Sequence, residues 1–265
     1  GRPDGWELKL RVDDQVFRLT NLLRRFTGLR HPERRRAMAR NRALRGRHAG
    51  RRCFILGTSP SIGEQDLAGL ANETTFAVNF FYQHPQVAQI RPDYWVVLDK
   101  KLTEGGWPAW LTDGEPYPQG MLDRIFAATP ETELFLLAEH AQDPAIRSAL
   151  GDREAWWLDH GETFHRGYRR QVDLTRPLPA INVMQACTHI AYYMGFTQIY
   201  LLGISMDGLP RDLVGLPSHF YAGPAENRDR AFEKVERDLI QSGFGFRAWR
   251  AMADYYANKG IALVN

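Results

Sequence analysis

Apolar positions fall into two regimes along the chain. In the first 50 residues they recur at helical spacing. Leu8, Val12, Val16, Leu19, Leu23 and Phe26 are separated by four, four, three, four and three residues, one stripe along a helix. Thr27-Gly28 ends that helix and His31-Pro32 marks a break. A second, strongly charged helix is predicted from about Glu33 to Leu44, and its sparse apolar positions make it a peripheral element. The stripe of the first helix is expected to pack on the main domain or on a partner chain, with membrane attachment as the sharper alternative. Residues 1–50 therefore read as a helical, arginine-rich appendage and residues 51–265 as the main domain.

After Gly50 short apolar runs alternate with amphipathic stretches. Candidate strands are Cys53–Leu56, Thr75–Asn79, Tyr94–Leu98, Glu133–Ala138, Ala155–Leu158, Ile199–Leu202 and Ile261–Val264. Candidate helices are Gly63–Leu70, Gly120–Ala128, Asp143–Leu150, Ile181–Met194 and Glu226–Asn258, the last with a break expected near Gly243-Phe244-Gly245. Such alternation predicts an α/β fold of modified Rossmann type, a mostly parallel sheet with helices on both faces. Ligands in these folds bind beyond the C-terminal ends of the strands. Residues 103–119 and 159–179 break the pattern, and each is expected as a loop bordering the site.

Composition adds two constraints. The only cysteines, Cys53 and Cys187, sit in apolar runs, so a reducing compartment fits better than a disulfide framework. The net charge of +3 hides an asymmetry: twelve arginines and one acid, Glu33, lie between Arg24 and Arg52, leaving the remainder net acidic. The bland reading is a solvated helix face; the sharper one is a membrane surface, with nucleic acid the least favoured partner. No apolar stretch approaches bilayer-spanning length. The expected location is cytoplasmic, or peripheral on the inner face of the membrane.

The chemistry concentrates at strand ends. Cys53–Leu56 runs into Gly57-Thr58-Ser59-Pro60-Ser61, a turn expected to lead into a helix whose N-terminus attracts phosphate. It is neither a Walker loop nor a G-x-G-x-x-G fingerprint, so only backbone amides and hydroxyls remain to hold an anion. Asn79 follows the second strand and Asp99 the third. An amide there donates and accepts; a carboxylate orients a hydroxyl or holds a cation. Asn182 opens the central helix, and Ser218-His219-Phe220-Tyr221 offers an imidazole suited to general-base work. His160 and His165 do not match zinc spacing, and no metal site is predicted.

These pieces occur in a familiar order. The strand before Gly-x-x-Pro-Ser, the Asn-x-Phe-Tyr-like Asn79-Phe80-Phe81-Tyr82, and the helix before Gly195-Phe196-Thr197-Gln198-Ile199-Tyr200-Leu201-Leu202-Gly203 resemble the bacterial sialyltransferases of glycosyltransferase family 42. They also resemble the related group named after a 6-hydroxymethylpterin diphosphokinase, which includes flagellin-modifying accessory proteins. The likeness covers roughly residues 51–265. It implies a CMP-activated sugar donor with no obligatory metal or other cofactor. It implies Gly57, Ser59 and Ser61, with Thr58, at the nucleotide phosphate, Asn79 on the donor, and Asp99 where the family has a donor-contacting Asn. Ala180, Ile181 and Asn182 would lie near the cytidine, and His219 would deprotonate the acceptor. The family has tyrosines after the equivalent of Gly203; here Ser205, Arg211 or Tyr221 would stabilise the leaving group.

The leading expectation is an inverting glycosyltransferase using a CMP-linked nonulosonic or Kdo-like acid, acting on a glycan or glycolipid in surface glycan synthesis. Two alternatives stay open. One is a pterin-type diphosphokinase needing ATP and Mg²⁺, with Asp99 and Asp207 as its carboxylates. The other is a non-catalytic nucleotide-binding protein. A homo-oligomer is a further expected partner.

Overall fold

The computed structural model describes residues 5–28, 31–99, 119–213, 216–221 and 232–265. Seven strands form one sheet, β1 (Arg52–Leu56), β2 (Thr75–Val78), β3 (Tyr94–Val96), β4 (Glu133–Leu137), β5 (Ala155–Leu158), β6 (Gln198–Leu202) and β7 (Ala262–Val264). Their spatial order is β5-β4-β3-β2-β1-β6-β7 and every pairing is parallel. The chain builds outward from β1 to β5, then returns to the other side of β1 for β6. The order reverses between β1 and β6, the topological switch point where such sheets open a crevice.

All seven predicted strands are present, because buried parallel strands read as continuous apolar runs. Alternate residues serve opposite faces. Cys53 and Ile55 join the core under α6 (Val183–Tyr193), while Leu56 joins the core of the other face with Phe54 packed against it. That second face is covered by α3 (Val87–Ile90), α4 (Gln119–Ala128) and α5 (Pro144–Leu150). Asp143 caps α5 by accepting from the amides of Ala145 and Ile146. Two short helices or turns replace one predicted helix: Gly63–Leu70 forms 3₁₀ turns at Pro60–Glu64 and Ala68–Leu70. Without a continuous apolar stripe after Ile62, no packed face supports propagation of a longer α-helix.

The N-terminal region departs from expectation. Helix α1 (Gly5–Gly28) forms, but Leu8, Val12, Val16, Leu19 and Leu23 point outward and are exposed. The side chain of Phe26 lies outside the described residues. Its inner face docks instead on α8 (Phe232–Ala257): Phe17 meets Phe244 edge-on at 5.1 Å, and Arg247 pairs with Asp13 at 2.7 Å and Asp14 at 3.0 Å. Helix α2 (Pro32–Ala39) is not peripheral. Met38 and the following Leu44 are buried in opposite cores. Asn41 is fully buried and donates to the carbonyls of Trp157 and Leu174 at 2.7 and 2.8 Å.

Much of the arginine block is tied down locally. Arg34 pairs with Glu139, Arg40 with Glu154, Arg45 with Asp173, Arg47 with Glu133 and Arg52 with Glu73. The acids of the main domain thus take up much of the charge excess seen in the sequence. Helix α8 runs unbroken through Gly243 and Gly245; residues 226–231 of its predicted start lie outside the described residues, as do residues 103–118 of the first expected loop.

His189 on α6 is buried against the hydroxyl of Tyr256 and the carbonyl of Pro179, and burial pushes its pKa down to about 4. An unfolded histidine titrates near 6.5, so between those values the unfolded chain binds the proton preferentially. Stability should therefore decline as pH falls from about 6.5 to 4, with this ring contributing roughly 3 kcal/mol at most. Replacing His189→Gln should flatten that decline in urea melts taken across the range. His48 and His84 are lowered with the same sign and leave a residual slope. An undiminished slope in the variant would place the acid sensitivity elsewhere.

Candidate active site

A cleft of about 520 Å³ lies at the C-terminal edge of the sheet, over the switch point. Its floor is a backbone clasp between the turns after β1 and β6. Gly57 donates to the Leu202 carbonyl at 2.8 Å and Ser59 to the Gly203 carbonyl at 3.0 Å. The approach is so close that a Cβ on Gly57 would sit 2.3 Å from the Gly203 oxygen. Gly203 itself has φ +65°, a conformation that glycine adopts without steric cost.

The clasp revises the phosphate-cradle expectation. Two of the turn's amides are committed to β6, and Gly57 does not line the cleft. Ser61 is exposed, bonds the Ser59 hydroxyl at 2.9 Å and stands outside the lining. No α-helix begins here, so the anion-attracting terminus expected after β1 is absent. Another takes its place. The first turn of α6, Val183 and Met184, lines the cleft, bringing the positive end of that helix to the site. Asn182 caps it, accepting from the Gln185 amide at 3.0 Å, while the Gln185 side chain accepts from the Ile181 amide at 2.9 Å.

Asn79 also lines the cleft, at φ +45°, a left-handed conformation in which Asn is enriched. Its carbonyl accepts from the Trp95 indole at 3.0 Å. Its side-chain Oδ1 is buried and finds no hydrogen-bond partner among the described residues. The buried indole nitrogen of Trp249, across on α8, is likewise unpartnered among them.

His219 stands at the rim. Its Nδ1 lies 3.1 Å from the Thr58 hydroxyl, and the next amide, of Phe220, donates to the Thr58 carbonyl at 3.1 Å. Tyr221 does not line the cleft; it stacks on the imidazole at 5.1 Å with 6° between planes and meets Phe80 edge-on. Phe220 packs against Phe81 and His84. Arg211 holds the loop from behind, its Nε donating to the Pro217 carbonyl at 2.7 Å. Aromatic contacts and two hydrogen bonds thus fix the orientation of the ring.

Of the residues expected at the site, the structure brings together Thr58, Ser59, Asn79, Asn182, Ser205 and His219. It leaves Gly57, Ser61, Asp99 and Tyr221 out of the lining. Gln241, Ser242, Gly245 and Trp249 complete one wall from α8 and were not anticipated. The small residues at 242, 243 and 245 were the available signal, read as a helix break rather than as room for a ligand. Among the described lining residues none is Asp, Glu, Lys or Arg. The 159–179 segment borders a separate cavity of about 480 Å³ over β4 and β5, which shares Ile181 with the cleft.

The architecture is that of a Rossmann-like α/β protein with a cleft at its switch point. No protein-family model matches the chain, and no curated protein matches it. Among solved structures it is similar to a sialyltransferase from Campylobacter jejuni solved in complex with a substrate analogue, cytidine-5′-monophosphate. The two share 14% identity at a TM-score of 0.40, over 82% of this chain and 86% of that one.

Substituting Gly57→Ala should force the two turns apart, since the blocking atoms are backbone. A loss of about 2 kcal/mol or more in unfolding free energy is expected, the scale of overpacking in a tight interior. Calorimetric melting checks it; a near-unchanged Tm would mean that the clasp yields easily.

Proposed function

We propose that the chain is an inverting glycosyltransferase that takes a CMP-linked acidic sugar, with His219 as general base. The observation that carries this reading is the convergence of an oriented imidazole with Asn79, Asn182 and the β1 turn in one cleft. The β1 turn, Asn79 and His219 belong to the segments that carry the sequence resemblance to sialyltransferases, and Asn182 stands in a stretch that replaces the family's Thr-Ser-Gly-like one. In the working tautomer, Nδ1–H donates to Thr58 and the other ring nitrogen takes the acceptor's hydroxyl proton. The acceptor oxygen then bonds to the anomeric carbon, and the bond from that carbon to the phosphate oxygen breaks. CMP departs with the electron pair.

With no cationic side chain in the described lining, charge on the departing phosphate is met by dipoles. The hydroxyls of Ser59 and Ser205, the Asn79 amide and the first turn of α6 are the groups available. Fixed dipoles of this kind commonly supply several kcal/mol of transition-state stabilisation. Asp99 and Asp207 do not line the cleft, so the Mg²⁺-dependent diphosphokinase reading has no carboxylate pair there among the described residues.

Two measurements test the proposal. In a thermal-shift series with CMP, UDP, GDP and adenine nucleotides, CMP should raise the Tm most. His219→Ala should keep that shift but lose roughly 10²-fold or more in transfer from CMP-sialic acid. Thr58→Val should lose less, about tenfold, by releasing the ring. Full turnover in His219→Ala would remove the base assignment, and a stronger response to another base would remove the donor assignment.

A further inference from the structure

Helix α1 is anchored by one face and bare on the other. The inner face is fully engaged: Asn21 exchanges two hydrogen bonds with the backbone of Thr163, at 2.9 and 2.8 Å, and Arg247 also donates to the Leu10 carbonyl at 3.1 Å. On the outer face Leu8, Val12, Val16, Leu19, Leu22 and Leu23 are each 44% to 59% exposed. Set at helical spacing they form one stripe about 120° wide, with Gln15 the one polar residue among them. Contiguous apolar patches of several hundred Å² mark interaction surfaces, whereas single exposed aliphatics do not.

The borders of the stripe decide what it meets. Lys9 flanks it on one side, paired with Asp13 at 3.1 Å, and on the other stand Arg11 and Arg18, the latter with its guanidinium against Gly167 of the main domain. Asp13 and Asp14 lie on the inner half, paired with Arg247; Glu7 sits beyond the Arg11 border, paired to it at 2.6 Å. A second copy docking about a two-fold axis would bring to those cations only acids already ion-paired within its own chain. An anionic bilayer surface complements both parts, since acyl chains accept the stripe and lipid phosphates accept the cations. Among the described residues no helix is long and apolar enough to cross a membrane, so α1 would lie on the bilayer.

We propose that α1 is a membrane-surface helix that seats its Leu8–Leu23 stripe in the headgroup boundary of an anionic bilayer. This does not rest on the proposed catalytic activity. The structure shifts the basis for a membrane reading from the arginine block, where Arg34, Arg40, Arg45, Arg47 and Arg52 are ion-paired within the fold, to the apolar stripe of α1.

The test is co-sedimentation of the full chain with vesicles of phosphatidylcholine alone and of phosphatidylcholine with phosphatidylglycerol in equal parts. The wild type should sediment with the anionic vesicles, and added salt should weaken the association. Leu19→Asp, at an exposed position, should melt like the wild type yet lose about tenfold or more of its vesicle binding. Leu19→Ala should fall between. The proposal is overturned if the wild type ignores anionic vesicles or if Leu19→Asp binds them equally well. It is also overturned if sedimentation equilibrium shows a dimer that Leu19→Asp dissociates, since the stripe would then be a contact between copies.

Discussion

Two peptide hydrogen bonds, from Gly57 to Leu202 and from Ser59 to Gly203, lock the turn after β1 to the turn after β6. These strands are neighbours in space but separated by nearly the whole sheet in sequence. The clasp extends their parallel pairing past the last ladder residue and sets the level of the cleft floor. Thr58 lies between the clasped residues, and its carbonyl and hydroxyl hold the His219 segment. Any displacement of the clasp is therefore passed to the imidazole. Glycine at 57 is a packing requirement here, because the nearest atoms are backbone and have nowhere to move.

Among the described lining residues the cleft carries no Asp, Glu, Lys or Arg, where the anion-binding expectation pointed to amides and hydroxyls of one loop. The polar lining groups come from three strand ends, with Thr58 and Ser59 following β1, and from a helix end. Asn79 comes from β2, Ser205 from the β6 exit, and Val183 and Met184 from the first turn of α6. In the proposed transfer, these neutral dipoles would meet the charge that leaves with the product.

Strand positions were legible because a parallel sheet buries both faces, and Phe76, Ala77 and Val78 or Phe135, Leu136 and Leu137 leave no other reading. Asn79, Asn182 and His219 were legible because strand ends and helix starts are where polar residues interrupt apolar runs. Less was legible where one pattern has two physical outcomes. The α1 stripe has the period of a buried face, but period reports only that one side is apolar, not what covers it. Met38 and Leu44 are two apolar positions in a strongly basic segment, yet each is fully enclosed, because position between elements outweighs local composition. The contribution of α8 was hidden for a related reason: glycines in a helix read as breaks until a neighbouring cavity shows what the missing side chains make room for.

The orphaned Oδ1 of Asn79 and indole nitrogen of Trp249 give the cleft a negative form of selectivity. A guest that offers the amide oxygen a donor and the indole an acceptor satisfies both at once. One of similar shape that offers neither leaves unpaired two polar atoms already out of reach of water, a cost of about 1–3 kcal/mol each that the right guest would relieve. Discrimination in such a place comes less from how well the right molecule is held than from what the wrong one forfeits.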